Sequence, residues 1–311
     1  MVDYDPKQWV FSLFKYLQLY KESYNIKRQL RIQFWLMLYS VGITYALTHI
    51  EHKDFIIEPL YFSLIGVVLS LMLVFRLNSS YDRWYEGRKR WGLLVNYSRY
   101  LSEYYVSNTR NANPKILKEL REQLSIYPWT LTLHLRTEGK ENLPNRWNAV
   151  YERDIADARH RPNAILKKIQ QNTKALEQDG NISSDDKRSL TETIREYYNI
   201  QGACERILAT PIPFSHNYFI KIFILIYTAA IPFGLFHFFG WWTLLSTFVI
   251  GYALLGIEII SEAIEDPFGR DANDLPLELL SSKIEDNINE IFEHVPEEDP
   301  ISAYPYEWIN H

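Results

Sequence analysis

The chain has 311 residues, of which 47% are hydrophobic and 15% aromatic, and a formal net charge of −5. That charge gives no global basic signature, so nucleic acid is not an expected partner. Cys204 is the single cysteine, which excludes an intramolecular disulfide.

The first twenty residues are acidic early and lack a basic leader and a small-residue cleavage site, so no signal peptide is expected. Phe11, Leu13, Phe14, Leu17, Leu19 and Tyr20 predict a short amphipathic helix at a membrane surface or packed on the body. Lys21, Lys27, Arg28 and Arg31 follow. A first membrane span is predicted over about residues 31–50, then a polar loop. A second is predicted over about 59–76, where Leu60 to Phe75 carries no charge. It is short for a span, but flanking residues and protein interior can cover the difference.

Arg76, Arg83, Arg88, Lys89, Arg90 and Arg99 come next. The segment from about 78 to 211 is rich in strong helix formers and is punctuated by Pro114, Pro128, Pro144 and Pro162. A loop around Gly180 precedes a helix N-cap at Ser183 or Ser184. Cys204 reads as a buried packing cysteine.

From Ile222 to Ile257 the chain runs about 36 residues without Asp, Glu, Lys or Arg, where one bilayer-spanning helix needs roughly 20. Soluble helices usually carry a polar stripe, and none is visible here. Pro232, Gly234 and Gly240 supply breaks, and Trp241 and Trp242 follow. This predicts two spans, about 217–239 and 241–262, joined by a tight turn. The last segment, about 281–311, is acidic and ends Tyr- and Pro-rich. It reads as a tail that wraps a neighbouring surface or stays loose.

Positive charge before the first span and after the second places both ends of that pair in the cytoplasm. Lys221 before the third span, and a turn near Gly240 free of Lys and Arg, give the same orientation to the last pair. The expected class is an all-α, multi-pass protein of the inner (plasma) membrane, with four spans continuous with cytosolic helices and both termini cytoplasmic.

Val67, Leu71 and Phe75 repeat every four residues and share one helix face. Copies around an axis would stack them into apolar rings that gate by dewetting; ordinary bundle packing explains the same spacing. Arg76 and Arg83 stand where a pore mouth could attract ions, or they anchor the span, and acids such as Asp82 or Glu86 would cancel their field. Asp266, Asp271, Asn273 and Asp274 could offer hard oxygen ligands to a cation, without EF-hand spacing. His49, Glu51 and His52 form a second candidate metal cluster. There is no nucleophile elbow, P-loop, dinucleotide fingerprint or zincin motif, so no enzyme is expected.

Three blocks resemble the bestrophin family, in particular its bacterial homologues: Phe75 to Gly92 at the second-span exit, Cys204 to Tyr218 before the third span, and Ile264 to Glu278 after the fourth. Their order and membrane context match together over one bestrophin-like domain covering 1–311. The resemblance implies a homopentameric channel for small monovalent ions, best known for chloride. The second span would line one central pore, with Val67, Leu71 and Phe75 as a hydrophobic neck. It implies a second apolar constriction at the cytosolic exit, placed here at Ile182. Animal members bind calcium in an acidic clasp, and Asp271 and Asp274 stand at matching positions. Here Arg270, Ala272 and Asn273 interrupt that run, so a weaker site and no calcium gating are expected, and Glu265 and Arg270 would hold the turn by pairing. No cofactor is expected, and the partners implied are further copies of the chain, lipid and small ions.

Overall fold

The computed structural model describes residues 24–49, 59–109 and 113–293, and every regular element among them is helical. The expected N-terminal helix, Glu51 and His52 of the loop cluster, and the end of the tail lie outside those residues. The chain divides into two compact units: residues 1–88 with 206–276, and residues 89–205 with 277–311.

The first unit contains α1 (Tyr24–His49), the leading part of α2 (Pro59–Asn108), and two helices from the charge-free run. These are α3 (Phe214–Phe239) and α4 (Thr243–Glu265), separated by one turn of 3₁₀ helix at Gly240–Trp242. Gly240 has φ +53°, a left-handed value that L side chains rarely adopt, so the turn forms where the glycine permits it. Pro232 lies within α3 and does not end it. At Gly234 a Cβ would come within 2.0 Å of the Phe62 ring, so only glycine allows that approach.

The helices of this unit bury polar residues and expose apolar ones. On α1, Gln29, Gln33, Ser40 and Thr44 are buried, while Phe34, Trp35, Leu38 and Tyr45 are exposed. On α4, Thr243, Thr247, Gly251, Glu258 and Ser261 face inward, while Leu245, Val249, Tyr252 and Ile260 face out. Soluble amphipathic helices do the opposite. The buried hydroxyls of Ser40, Thr247 and Ser261 donate to the carbonyls four residues back, at 2.7–2.9 Å, as backbone in a non-aqueous setting allows. The Gln29 and Gln33 side-chain amides donate to the Tyr252 and Phe248 carbonyls, both at 3.1 Å, pinning α1 to α4. The polar stripe that the sequence did not reveal in the last pair of spans is thus present on α4 and turned inward.

Two stretches, Leu60–Asn108 and Phe214–Glu265, are long and apolar enough to cross a membrane, and the most apolar window of the first is only 17% buried. A buried apolar cluster inside the unit joins Leu69 and Leu73 of α2, Ile220 and Ile224 of α3, and Leu254 of α4.

The second unit holds the remainder of α2 and five further helices: α5 (Pro114–Leu135), α6 (Asn148–Asp154), α7 (Arg161–Gln178), α8 (Ser184–Ala209, as far as 205) and α9 (Leu277–Glu293). It is built as a water-soluble domain, with α5 at its centre packed by α7 and α9. Leu120, Leu124, Tyr127 and Leu131 are fully buried. Pro114 and Pro162 occupy first-turn positions, where the missing N–H costs nothing. Pro128 does not punctuate: it stays inside α5. Ser183 caps α8, its hydroxyl accepting from Asp186 N–H at 3.1 Å while Asp186 accepts from Ser183 N–H at 2.9 Å. This reciprocal box is joined by the Tyr104 hydroxyl, 2.6 Å from Asp186. The tyrosine and Ser183 hydrogen bonds hold the Asp186 carboxyl below its ordinary value.

The segment expected as a tail begins as a packed helix. Leu277, Leu280, Ile284, Ile288 and Phe292 of α9 are buried at helical spacing, and Arg136 pairs with Glu278. Glu285, 5% exposed, accepts from Trp129 Nε1 at 2.7 Å, Trp147 Nε1 at 3.4 Å and the Arg146 guanidinium at 2.6 and 2.8 Å. Glu285→Ala strands those donors. We expect it to lower stability by about 2 kcal/mol, the order of cost of leaving buried donors unsatisfied, read as a fall in Tm of the purified protein.

Candidate functional site

The candidate site is built on α2, which has two unlike faces. Leu69, Leu73, Arg76 and Ser80 are at most 1% exposed. On the other side Val67, Leu71 and Phe75 are 68%, 55% and 60% exposed in the single chain. Below Phe75 the exposed line turns polar, through Asn78, Ser79 and Asp82. The three apolar residues therefore take no part in the core of this chain.

Arg76 is 0% exposed. Its Nη2 donates to Glu265 Oε2 at 2.7 Å and its Nη1 to Ser80 Oγ at 2.9 Å, and its Nε lies 3.7 Å from Glu258. Glu265 also accepts from Ile212 N–H at 3.0 Å. Lys221 on α3 pairs with Glu262 at 3.1 Å and lies 4.0 Å from Glu258, while Arg28 on α1 pairs with Glu262 at 2.9 Å. Three cations from three helices thus meet three carboxylates of α4. Among the described residues Glu258 accepts no hydrogen bond and is held by charge alone.

Arg83 serves the backbone. Its guanidinium donates to the carbonyls of Glu265 at 3.0 Å, Thr210 at 2.5 Å and Ile207 at 2.6 Å. Carbonyls at helix ends lack intrahelical partners, and one planar fork satisfies three of them. Trp84 Nε1 donates to Asn273 O at 2.9 Å, and Gly87 leaves room for Phe268, so the turn after α4 seats on α2.

These contacts correct several expectations. Arg76 does not present charge to a pore mouth, because it is buried and neutralised by Glu258 and Glu265. Arg83 is committed to carbonyls. Glu265 pairs with Arg76. Ile182 is 5% exposed and lies inside its own unit, whereas a constriction ring needs a side chain free to point out of the subunit.

Asp271 and Asp274 close a turn on themselves. Asp274 Oδ2 accepts from Asp271 N–H at 2.6 Å, and Asp271 O accepts from Asp274 N–H at 3.0 Å. Asp266 spends an oxygen on Phe268 N–H at 3.3 Å. Among the described residues no trio of carboxylate or imidazole ligand atoms converges here. The glutamate triad of α4 went unread in the sequence, although acids at 258, 262 and 265 share one face of a helix that carries no other charge.

A family model described as the bacterial/fungal bestrophin protein matches residues 12–290. A voltage-dependent anion channel-forming protein of Ralstonia nicotianae is 33% identical over 74% of this chain and 76% of its own length. One of the same description from Nostoc is 31% identical over 75% and 78%. The solved structure of a point mutant of a bacterial bestrophin homologue from Klebsiella pneumoniae aligns with a TM-score of 0.77 and 25% identity. It covers 85% of this chain and 98% of that one. A helical protein with inverted membrane-facing amphipathicity is thereby placed: the chain belongs to the bestrophin family. Family and relatives point to a channel and not to an enzyme.

Arg76→Leu leaves Glu258 and Glu265 without their cation. We expect a loss of about 3–5 kcal/mol, seen as a lower melting temperature in detergent. Arg83→Lys keeps the charge but loses the fork, so it should lower Tm nearly as far as Arg83→Gln.

Proposed function

We propose that this chain is one subunit of a pentameric anion channel of the inner membrane, with α2 lining a single central pore. Four helices of the first unit span the bilayer, and both termini are cytoplasmic. Val67, Leu71 and Phe75 form the hydrophobic neck, five copies of each making a ring. The observation that carries this reading is their exposure on one line of α2, while the opposite line is buried against α3 and α4. The resemblance to anion channel-forming relatives supports the choice of ion.

The neck offers ions no hydrogen-bond partner. A permeating ion sheds part of its hydration shell there, and a narrow apolar ring excludes bulk water altogether. The polar line through Asn78, Ser79 and Asp82 receives the ion again beyond Phe75. The ion-pair network holds α2 against its neighbours, so the rings keep their radius while ions pass.

A second reading, a monovalent cation channel of the same architecture, has its own support. Arg76 and Arg83 are neutralised or committed to carbonyls, and Asp82 lies exposed on the exit line. Planar-bilayer recordings in asymmetric KCl separate the two, since the current reverses near the chloride potential in one case and near the potassium potential in the other. Replacing Val67, Leu71 and Phe75 together with Ala should raise unitary conductance several-fold. An unchanged conductance and selectivity would remove the neck.

A further inference from the structure

In the second unit, two imidazoles and a carboxylate converge from three helices. His134 belongs to the last turn of α5, His160 is the N-cap of α7, and Glu205 stands on α8. His134 Nε2 and His160 Nε2 each lie 3.1 Å from the same oxygen, Glu205 Oε1. The rings face each other with centroids 4.5 Å apart, and the three ligand atoms all fall within 4.8 Å of one another. Tetrahedral zinc, with bonds of about 2.0–2.1 Å, sets neighbouring ligand atoms about 3.3 Å apart. Two of the separations already have that size. Each side chain is about one-third exposed, which leaves a fourth position open to water.

The carboxylate is aimed by a second layer. Gln201, 4% exposed, donates to Glu205 Oε1 at 3.0 Å and to Asn163 Oδ1 at 2.8 Å, and accepts from the Tyr127 hydroxyl at 3.3 Å. Metal ligands are typically oriented by such outer partners. Arg161 stands nearby, but its guanidinium donates to Glu138 O at 2.6 Å and lies over the Tyr151 ring.

We propose that His134, His160 and Glu205 form a binding site for a borderline divalent transition metal of the zinc class, clamping the ends of α5 and α7 to α8. Without metal, Asn163 N–H donates to His160 Nδ1 at 3.5 Å, so the ring proton sits on Nε2 and points at Glu205. Metal binding at Nε2 moves that proton to Nδ1 and releases the long capping contact. The site is independent of the ion pathway proposed above.

The test uses the full chain, purified in detergent with any affinity tag removed. Cobalt titration should give tetrahedral d–d absorption bands that zinc abolishes, and zinc should raise Tm. In H134A/H160A both signals should disappear, with one metal fewer bound per chain. Gln201→Met keeps the ligands but removes their support, and should weaken binding by roughly 10–100-fold. Equal cobalt spectra and equal zinc response in wild type and H134A/H160A would overturn the proposal. So would a wild-type Tm unmoved by zinc or chelator, leaving the trio a hydrogen-bonded clamp only.

Discussion

Six charges at one level of the first unit hold its helices in register. Glu258, Glu262 and Glu265 lie along one face of α4, and Arg28, Arg76 and Lys221 answer them from α1, α2 and α3. In a low-dielectric setting neither set could stand alone, since an unpaired buried charge costs several kcal/mol. Arg76, Glu258 and Glu265 are the most buried members of the network, while Arg28, Lys221 and Glu262 are each about one-third exposed. Apolar packing can match a buried pair in energy, and the pairs add a fixed match between one turn of α2 and one turn of α4. The outward direction of Val67, Leu71 and Phe75 follows from that register.

The two units obey opposite solvent rules. The first turns Gln29, Gln33, Thr247 and Ser261 inward and leaves Phe34, Trp35, Val67 and Leu245 outside. The second buries Leu120, Tyr127 and Ile165, and its buried Glu285 is met by Arg146 and two indole N–H groups. One hydropathy average over the chain hides both patterns, because each cancels the other.

Much of this was legible in the sequence and some was not. The charge-free run gave away α3 and α4 and their break at Gly240, because a glycine before two tryptophans has few other readings. The cap at Ser183 followed from local chemistry alone. Pro128 misled because a proline inside a long helix looks like a boundary until burial on all sides outweighs one lost hydrogen bond. The tail misled because its acidic composition masks a buried stripe from Leu277 to Phe292. Arg76 and Arg83 were seen as charges, while their partners lie over a hundred residues away and could not be paired by spacing. Separation along the chain also hid the meeting of His134, His160 and Glu205.

That separation bears on how the protein is made. Arg76 and Glu265 are 189 residues apart. At roughly 5–20 residues per second a ribosome needs about 10–40 s to travel from one to the other. Through that interval the first two helices carry Arg28 and Arg76 with no carboxylate to answer them. Their pairing with the glutamates cannot form until α4 has been made. Assembly of the bundle is therefore a late event of biosynthesis, set by the arrival of three glutamates.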